Sequence, residues 1–398
     1  MRRAPRFRFV QITPLLALFA IALLGQARAE GVRLDVLQIP AVIGESHRPV
    51  TFALEAIIVR PDDGQPHPLA VLNHGSPRDA EDRPKMSPYG MWAQAVAFAR
   101  RGWVAVAFMR RGYGHSQGEW AQPRGSCASR DYATAGLTET ADIAAVAKFM
   151  SGQDYVSKGR WISVGVSAGG FATVALTSQA PPGLAAGIVF APGRGSSAPD
   201  TVCGEGSLVE AFAQYGKTSR VPLLWVSAEN DHFFGPRLTA RFTGAFSKAG
   251  GHVDFAGVPA FGDDGHMLFS ARGLPIWSPI SDKFLAANNL VLRERLIDLP
   301  TPNVTTPSSL NARGRETFKT YLESGPNKAF VLSGTHFGWA TGRRTVTTRS
   351  RTRWVSASRT PAPNAPLSTS TTSRPNRSSV GLASGDYSVF ERSGYRFA

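Results

Sequence analysis

Cysteine is nearly absent, since Cys127 and Cys203 are the only two in 398 residues. Neither they nor the eight histidines fall at the spacing of a zinc site, so no metal and no other cofactor is expected. Acidic residues are also scarce, 29 Asp and Glu against 44 Lys and Arg, for a formal net charge of +15. Such an excess suggests nucleic acid until it is located along the chain. Residues 1–29 hold five arginines and no acid, and residues 347–398 hold eight arginines against Asp386 and Glu391 alone. With those two ends set aside, residues 30–346 carry only +4. The body is mildly basic, which removes most of the case for a nucleic-acid partner.

Long apolar runs are missing everywhere except near the N-terminus. There Arg2, Arg3, Arg6 and Arg8 precede an almost wholly apolar Leu15 to Leu24, and Ala27-Arg28-Ala29 follows. A basic segment, a short apolar core and an A-x-A site make a secretory signal, with cleavage expected after Ala29. The run is short for a membrane span. A secreted or periplasmic protein with no stable membrane anchor after signal removal is therefore expected. Export would carry both cysteines into an oxidising compartment, and both fall in loops rich in Gly, Ser and Pro. A Cys127–Cys203 disulfide is the expectation, with two buried free thiols as the alternative.

The body reads as strands alternating with helices. Val32 to Ile39, Thr51 to Arg60, Leu69 to His74, Trp103 to Met109, Leu184 to Ala191, Val221 to Ser227 and His252 to Val258 are β-like, several of them continuously apolar. Met91 to Arg101, Thr138 to Met150, Leu208 to Tyr215, Arg237 to Ala249 and Ile280 to Ala287 are helix-like. Such alternation predicts a mostly parallel sheet flanked by helices, an α/β class. At its centre Arg160-Trp-Ile-Ser-Val-Gly165-Val-Ser167-Ala-Gly169 runs from an apolar strand into an Ala-rich helix. That is the G-x-S-x-G elbow, in which glycines let the chain fold sharply and present the serine at the end of a strand.

A serine hydroxyl is a poor nucleophile unless a base takes its proton and an acid orients the base. Asp231 and His266 supply these, each just beyond a strand, where active residues of α/β sheets gather. The order Ser167, Asp231, His266 is that of one fold and differs from the two protease orders. Together with the His74-Gly75 loop and the Arg111-Gly-Tyr113-Gly-His-Ser loop, these pieces resemble the α/β-hydrolase superfamily over roughly residues 50–290. Within it the resemblance is to dienelactone-hydrolase-like and prolyl-oligopeptidase-like enzymes. True dienelactone hydrolases use a cysteine nucleophile, a departure at position 167. The resemblance implies that Ser167 attacks an acyl carbonyl, that His266 relays its proton, and that Asp231 orients His266. It also implies an oxyanion hole from the N–H groups of Ala168 and Ser76.

Rival roles remain open at several positions. His74 reads as a residue fixing the oxyanion loop more readily than as a base, and Tyr113 as either a loop anchor or a substrate contact. Asp263, Asp264 and Glu229 read as solvated loop acids. His232 adjoins the acid and should point away from it. The loop 192–207 is a candidate lid.

The expected function is a secreted serine esterase acting on a small ester. A serine peptidase taking short peptides is the alternative within the mechanism, and a catalytically idle envelope-binding module is the alternative outside it. The expected layout is a signal peptide (1–29), an α/β-hydrolase domain (30–300), a small C-terminal appendage (301–346) and a disordered basic tail (347–398). In the appendage Thr317 to Glu323 reads as helix, Lys328 to Ser333 as strand and Phe337-Gly-Trp339 as an aromatic turn. The tail is Ser, Thr, Arg and Pro with scarcely an acid, the composition of a linker. A frameshift is the other reading, because codons chosen for residues 347 onward and read one base earlier encode an Ala/Leu helix and a β-branched strand.

Overall fold

A computed structural model of the chain describes residues 31–44, 48–290, 293–299, 304–333, 336–342 and 344, and a strand at 388–392. The expected signal peptide lies outside the described residues. So does the expected tail except for that strand, and with it the stretch on which the frameshift account rests.

Ten strands belong to the main body: β1 (Val32–Ile43), β2 (Val50–Pro61), β3 (His67–Asn73), β4 (Val104–Phe108), β5 (Val156–Val166), β6 (Leu184–Phe190), the short pair β7 (Ser196–Ala198) and β8 (Thr201–Val202), β9 (Leu223–Ala228) and β10 (Asp254–Val258). Eight of them form one sheet in the order β1-β2-β4-β3-β5-β6-β9-β10. The β1–β2 and β2–β4 pairs are antiparallel, and every other neighbour is parallel. The mostly parallel sheet read from the sequence is the one observed.

The helices are α1 (Trp92–Arg100), α2 (Tyr132–Ser151), α3 (Ala168–Gln179), α4 (Glu205–Gly216), α5 (Pro236–Lys248) and α6 (Leu274–Ala287). On one face of the sheet α1 and α6 bring Trp92, Phe98, Trp277 and Phe284 against Leu72, Ala107 and Ile188. The other face is covered by two clusters, one joining Ile143, Val146 and Leu176 to Val71 and Val106, the other built on Phe171, Phe212, Trp225 and Phe242. Each buried side chain of this size contributes roughly 1.5–3 kcal/mol. Covered on both faces, β4 is buried at all five positions and shows no alternation. The outer strand β1 leaves Val36 and Val42 exposed.

Several boundaries differ from the expected ones for local reasons. Helix α2 starts six residues earlier than Thr138, because Asp131 caps it by accepting the Thr134 N–H at 2.9 Å. The two prolines near the start of α6 hide a helix that begins at Leu274 with proline in its first turn.

Beyond the main body, α7 (Ala312–Glu323) packs on β11 (Lys328–Ser333) and β12 (His336–Ala340) through Phe318, Tyr321, Phe330 and Phe337. The Phe337-Gly-Trp339 segment, expected as a turn, is therefore strand. Phe337 and Trp339 lie two apart, opposite Leu332 and Phe330, with the period of a pleated strand rather than of a turn. The other edge of β11 pairs antiparallel with β13 (Ser388–Arg392). Arg344 ties this small layer to the main body by hydrogen bonds to the Glu55 carboxylate and the Met86 carbonyl.

Candidate active site

The elbow between β5 and α3 places Ser167 at φ 54°, ψ −122°, a conformation that a residue with a side chain adopts only under local constraint. The constraint is visible in its neighbours. A Cβ on Gly165 would lie 2.3 Å from the Gly169 carbonyl oxygen, and one on Gly169 would lie 2.2 Å from that of Asn73. Only glycine fits either position. Beneath the turn the buried Asn73 amide donates to Ser163 Oγ at 2.9 Å and to Thr173 Oγ1 at 3.1 Å, fastening β3, β5 and α3 together.

The loop after β3 runs beside the serine, so close that a Cβ on Gly75 would meet Ser167 Cβ at 3.1 Å. His74 Nε2 accepts the Arg110 N–H at 3.1 Å, which leaves Nδ1 to donate to the Gly75 carbonyl at 2.6 Å. Burial, then the Arg110 guanidinium, holds the His74 imidazole well below its ordinary range. With both nitrogens engaged in a neutral ring, His74 fixes the loop and is not a base. Tyr113 is buried, packs edge-on against His74 at 4.6 Å, and donates its hydroxyl proton to Ser76 Oγ at 3.0 Å. Of the two roles left open for it, the structure favours the loop anchor. Helix α3 begins at Ala168, so its first N–H groups have no intrahelical acceptor. Ser76 and Ala168 line the same cavity as Ser167.

Asp231 and His266 are brought together from the ends of β9 and β10. His266 Nδ1 lies 3.2 and 3.1 Å from the two carboxylate oxygens of Asp231. Burial alone would raise the Asp231 carboxyl, but the hydrogen bond and charge of His266, with N–H donors from Phe234 and Phe233, hold it below the usual carboxylate range. The Phe233 ring stacks on the imidazole at 3.8 Å and lines the cavity in front of Ser167. No hydrogen bond joins Ser167 Oγ to His266, a contact that often tightens only when substrate is present.

The remaining candidates separate by their partners. His232 turns to Asp200 at 3.1 Å, away from His266. Glu229 and Asp263 are exposed, as expected. Asp264 is not a merely solvated acid, because its Oδ1 accepts the N–H groups of His266 at 2.9 Å and His232 at 3.1 Å and so clamps the histidine loop. The candidate lid contains the β7–β8 hairpin and is tied to the loop after β4 by the Cys127–Cys203 disulfide, with Cα atoms 4.9 Å apart. Among the described residues no group of three or more His, Cys, Asp or Glu could hold a metal ion.

With this geometry in place, a family model described as X-Pro dipeptidyl-peptidase (S15 family) matches residues 51–235. The match runs from β2 through the elbow to Asp231, over the sheet order described above. The chain has the α/β-hydrolase fold. No curated protein matches it. Among solved structures it is similar to an esterase of Pyrococcus furiosus, at 16% identity and a TM-score of 0.45 over 64% of this chain and 90% of that one. An acylaminoacyl peptidase of Pyrococcus horikoshii is similar at 18% identity and a TM-score of 0.45 over 69% of this chain and 44% of that one. A ferulic-acid-bound protein of Butyrivibrio proteoclasticus is similar at 17% identity and a TM-score of 0.43, over 60% and 96%.

Sequence reasoning missed several parts of this hydrolase. The Asn73 anchor, the Phe233 stack and the Asp264 clamp depend on which loops meet in space. Of these, only the adjacency of Phe233 and Phe234 to the acid was open to inspection in the sequence.

Proposed function

We propose that this hydrolase cleaves carboxylic esters through Ser167, with His266 as general base and acid and Asp231 as the orienting carboxylate. One observation carries the reading: a serine held at positive φ on a glycine-only elbow, lining one cavity with the Phe233 ring that stacks on the imidazole of a buried Asp231–His266 pair. In the proposed cycle Ser167 Oγ attacks the ester carbonyl while His266 Nε2 takes its proton, and Asp231 holds the other ring nitrogen as the N–H tautomer. The Ala168 and Ser76 N–H groups receive the oxyanion, each such donor being worth about 3–4 kcal/mol. Collapse expels the alcohol with the proton from His266, leaving an acyl-serine. Water then attacks that ester, again through His266, and releases the acid and Ser167.

A peptidase with the same residues is the second reading, and the match to a family of X-Pro dipeptidyl-peptidases favours it. Secretion or residence in the periplasm is part of the proposal, supported by the leader-like N-terminus and the disulfide. A fluorophosphonate probe tests the nucleophile: wild type labels, and Ser167→Ala does not. A folded wild type that fails to label would leave the idle-module reading instead. Rates on p-nitrophenyl esters against aminoacyl-prolyl anilides then decide between the two substrates.

A further inference from the structure

The cavity in front of Ser167 measures about 260 Å³, and its lining includes Arg78, Arg130 and Arg194 but no carboxylate. One of these arginines, Arg194, is only 5% exposed, and Arg110, which does not line the cavity, is wholly buried. Both lean on a single acid, Glu139, through Arg194 Nη1 at 3.3 Å and Arg110 Nε at 3.4 Å. The next acid along α2, Asp142, is held by Arg111 at 2.5 Å, and Asp131 is spent capping the helix. One buried carboxylate thus faces two buried guanidiniums. Leaving a buried charge unbalanced is strongly unfavourable, so the surplus calls for a counter-ion from outside the chain.

Arg130 also lines the cavity. Its Nη1 donates to the Pro123 carbonyl at 3.2 Å and its Nη2 to Cys203 Sγ at 3.4 Å, while its Nε is buried with no hydrogen-bond partner. The disulfide fixes the loops that carry Arg130 and Arg194, and the Arg194 guanidinium lies over the ring of Trp120, which also lines the cavity, at 5.5 Å. Arg78 is already committed, donating to Ser196 Oγ at 3.0 Å and to the His232 carbonyl at 3.1 Å while lying over the Phe233 ring.

Resting on the serine-hydrolase reading above, we propose that Arg130 and Arg194 form a carboxylate subsite, so that the substrate is a small ester or amide bearing a carboxylate a few bonds from the carbonyl that Ser167 attacks. Guanidinium forks pair with carboxylates through charge-assisted hydrogen bonds, and within a small cavity those bonds select substrates as well as bind them.

The test compares two matched pairs of esters on the full processed chain. In p-nitrophenyl hemisuccinate against p-nitrophenyl butyrate the charge sits on the acyl side, and in 4-carboxyphenyl butyrate against phenyl butyrate it sits on the leaving group. The anionic member of at least one pair should be favoured in kcat/KM by about tenfold or more. Arg130→Gln should bring that preference close to one, Arg130→Lys should restore part of it, and Arg241→Gln, on an exposed pair with Glu205, should leave it in place. Titration calorimetry with succinate needs no turnover, and its affinity should fall in Arg130→Gln in parallel. No anionic preference in either pair, a preference unchanged in Arg130→Gln, or no succinate binding would overturn the subsite. Failure of all four esters together with failure of fluorophosphonate labelling would overturn the serine-hydrolase reading, and the succinate titration would still decide on the subsite.

Discussion

The cavity has two walls, and they are held in place by different physics. On the sheet side Ser167, Asp231 and His266 stand at strand ends, fixed by backbone contacts so close that glycine is required and by N–H groups that leave little freedom. On the loop side Trp120, Arg130 and Arg194 sit on irregular segments, fixed by a disulfide and by ion pairs that do not balance. The first wall is suited to chemistry that tolerates little displacement, and the second to selecting what approaches it. If that division is right, substitutions on the sheet side should abolish turnover, and those on the loop side should change preference or stability.

The largest effect belongs to Asp231→Asn. Losing tautomer control at His266 should lower kcat by roughly 10⁴-fold with the fold retained, measured by steady-state kinetics beside circular dichroism. Near-native turnover would remove Asp231 from the mechanism. The same substitution alters the acid response. Asp231 is held below the usual carboxylate range when folded, so its contribution to stability is present above about pH 4 and lost as pH falls through the folded value. Denaturant titrations between neutral pH and about pH 3 should therefore show a flatter pH dependence in the Asn variant than in wild type.

Next comes Gly169→Ala. Its methyl group would meet the Asn73 and His74 carbonyl oxygens at 2.2 and 2.4 Å, and both are backbone atoms that cannot swing away. A loss of about 3 kcal/mol or more in unfolding free energy is expected, along with most of the activity. Gly206→Ala on α4 is the counterpart, since nothing lies within 4 Å of the new methyl group. It should be neutral or stabilise by up to about 1 kcal/mol. Equal effects at the two positions would contradict the claim that close backbone approach defines the elbow.

On the loop side, the paired substitution Cys127→Ser with Cys203→Ser opens a crosslink between residues 76 apart in sequence. Chain-entropy reasoning gives a loss of roughly 4 kcal/mol, in the usual range of about 2–5 kcal/mol for a native disulfide. Turnover of a small neutral ester should survive below the shifted midpoint, because no residue of the sheet-side wall depends on the bridge. Loss of that turnover in protein still folded by circular dichroism would show that the two walls are not separable.

The same division governs what the sequence made legible. The strand-end positions of Ser167, Asp231 and His266 were readable because strand, elbow glycines and chain order are local or follow from the alternation of strands and helices. The parallel core was readable in β4 and β9, where continuous apolar runs leave few alternatives. The boundaries of α2 and α6 were not, because Asp131 and the prolines act through capping geometry that the apolar pattern does not register. The Arg130 and Arg194 pair was also hidden: the two residues lie on loops 64 positions apart, and no spacing rule links them. Asp264 was misread for a related reason, as a carboxylate's exposure depends on which N–H groups the fold turns toward it.

The smallest effect expected is that of Tyr113→Phe, which probes the join between the walls. The phenol is buried, and its hydroxyl reaches Ser76 Oγ at 3.0 Å, while its ring packs on His74. Removing one oxygen keeps the packing and deletes one neutral hydrogen bond, at a cost of about 1 kcal/mol. If Tyr113 positions the oxyanion loop, the loss should appear in kcat, by about three- to tenfold, with KM little changed, because the Ser76 N–H would be displaced where charge develops in the transition state. If Tyr113 instead touched substrate, KM would rise with kcat preserved. The split between the two constants therefore assigns the residue even though the total effect is small.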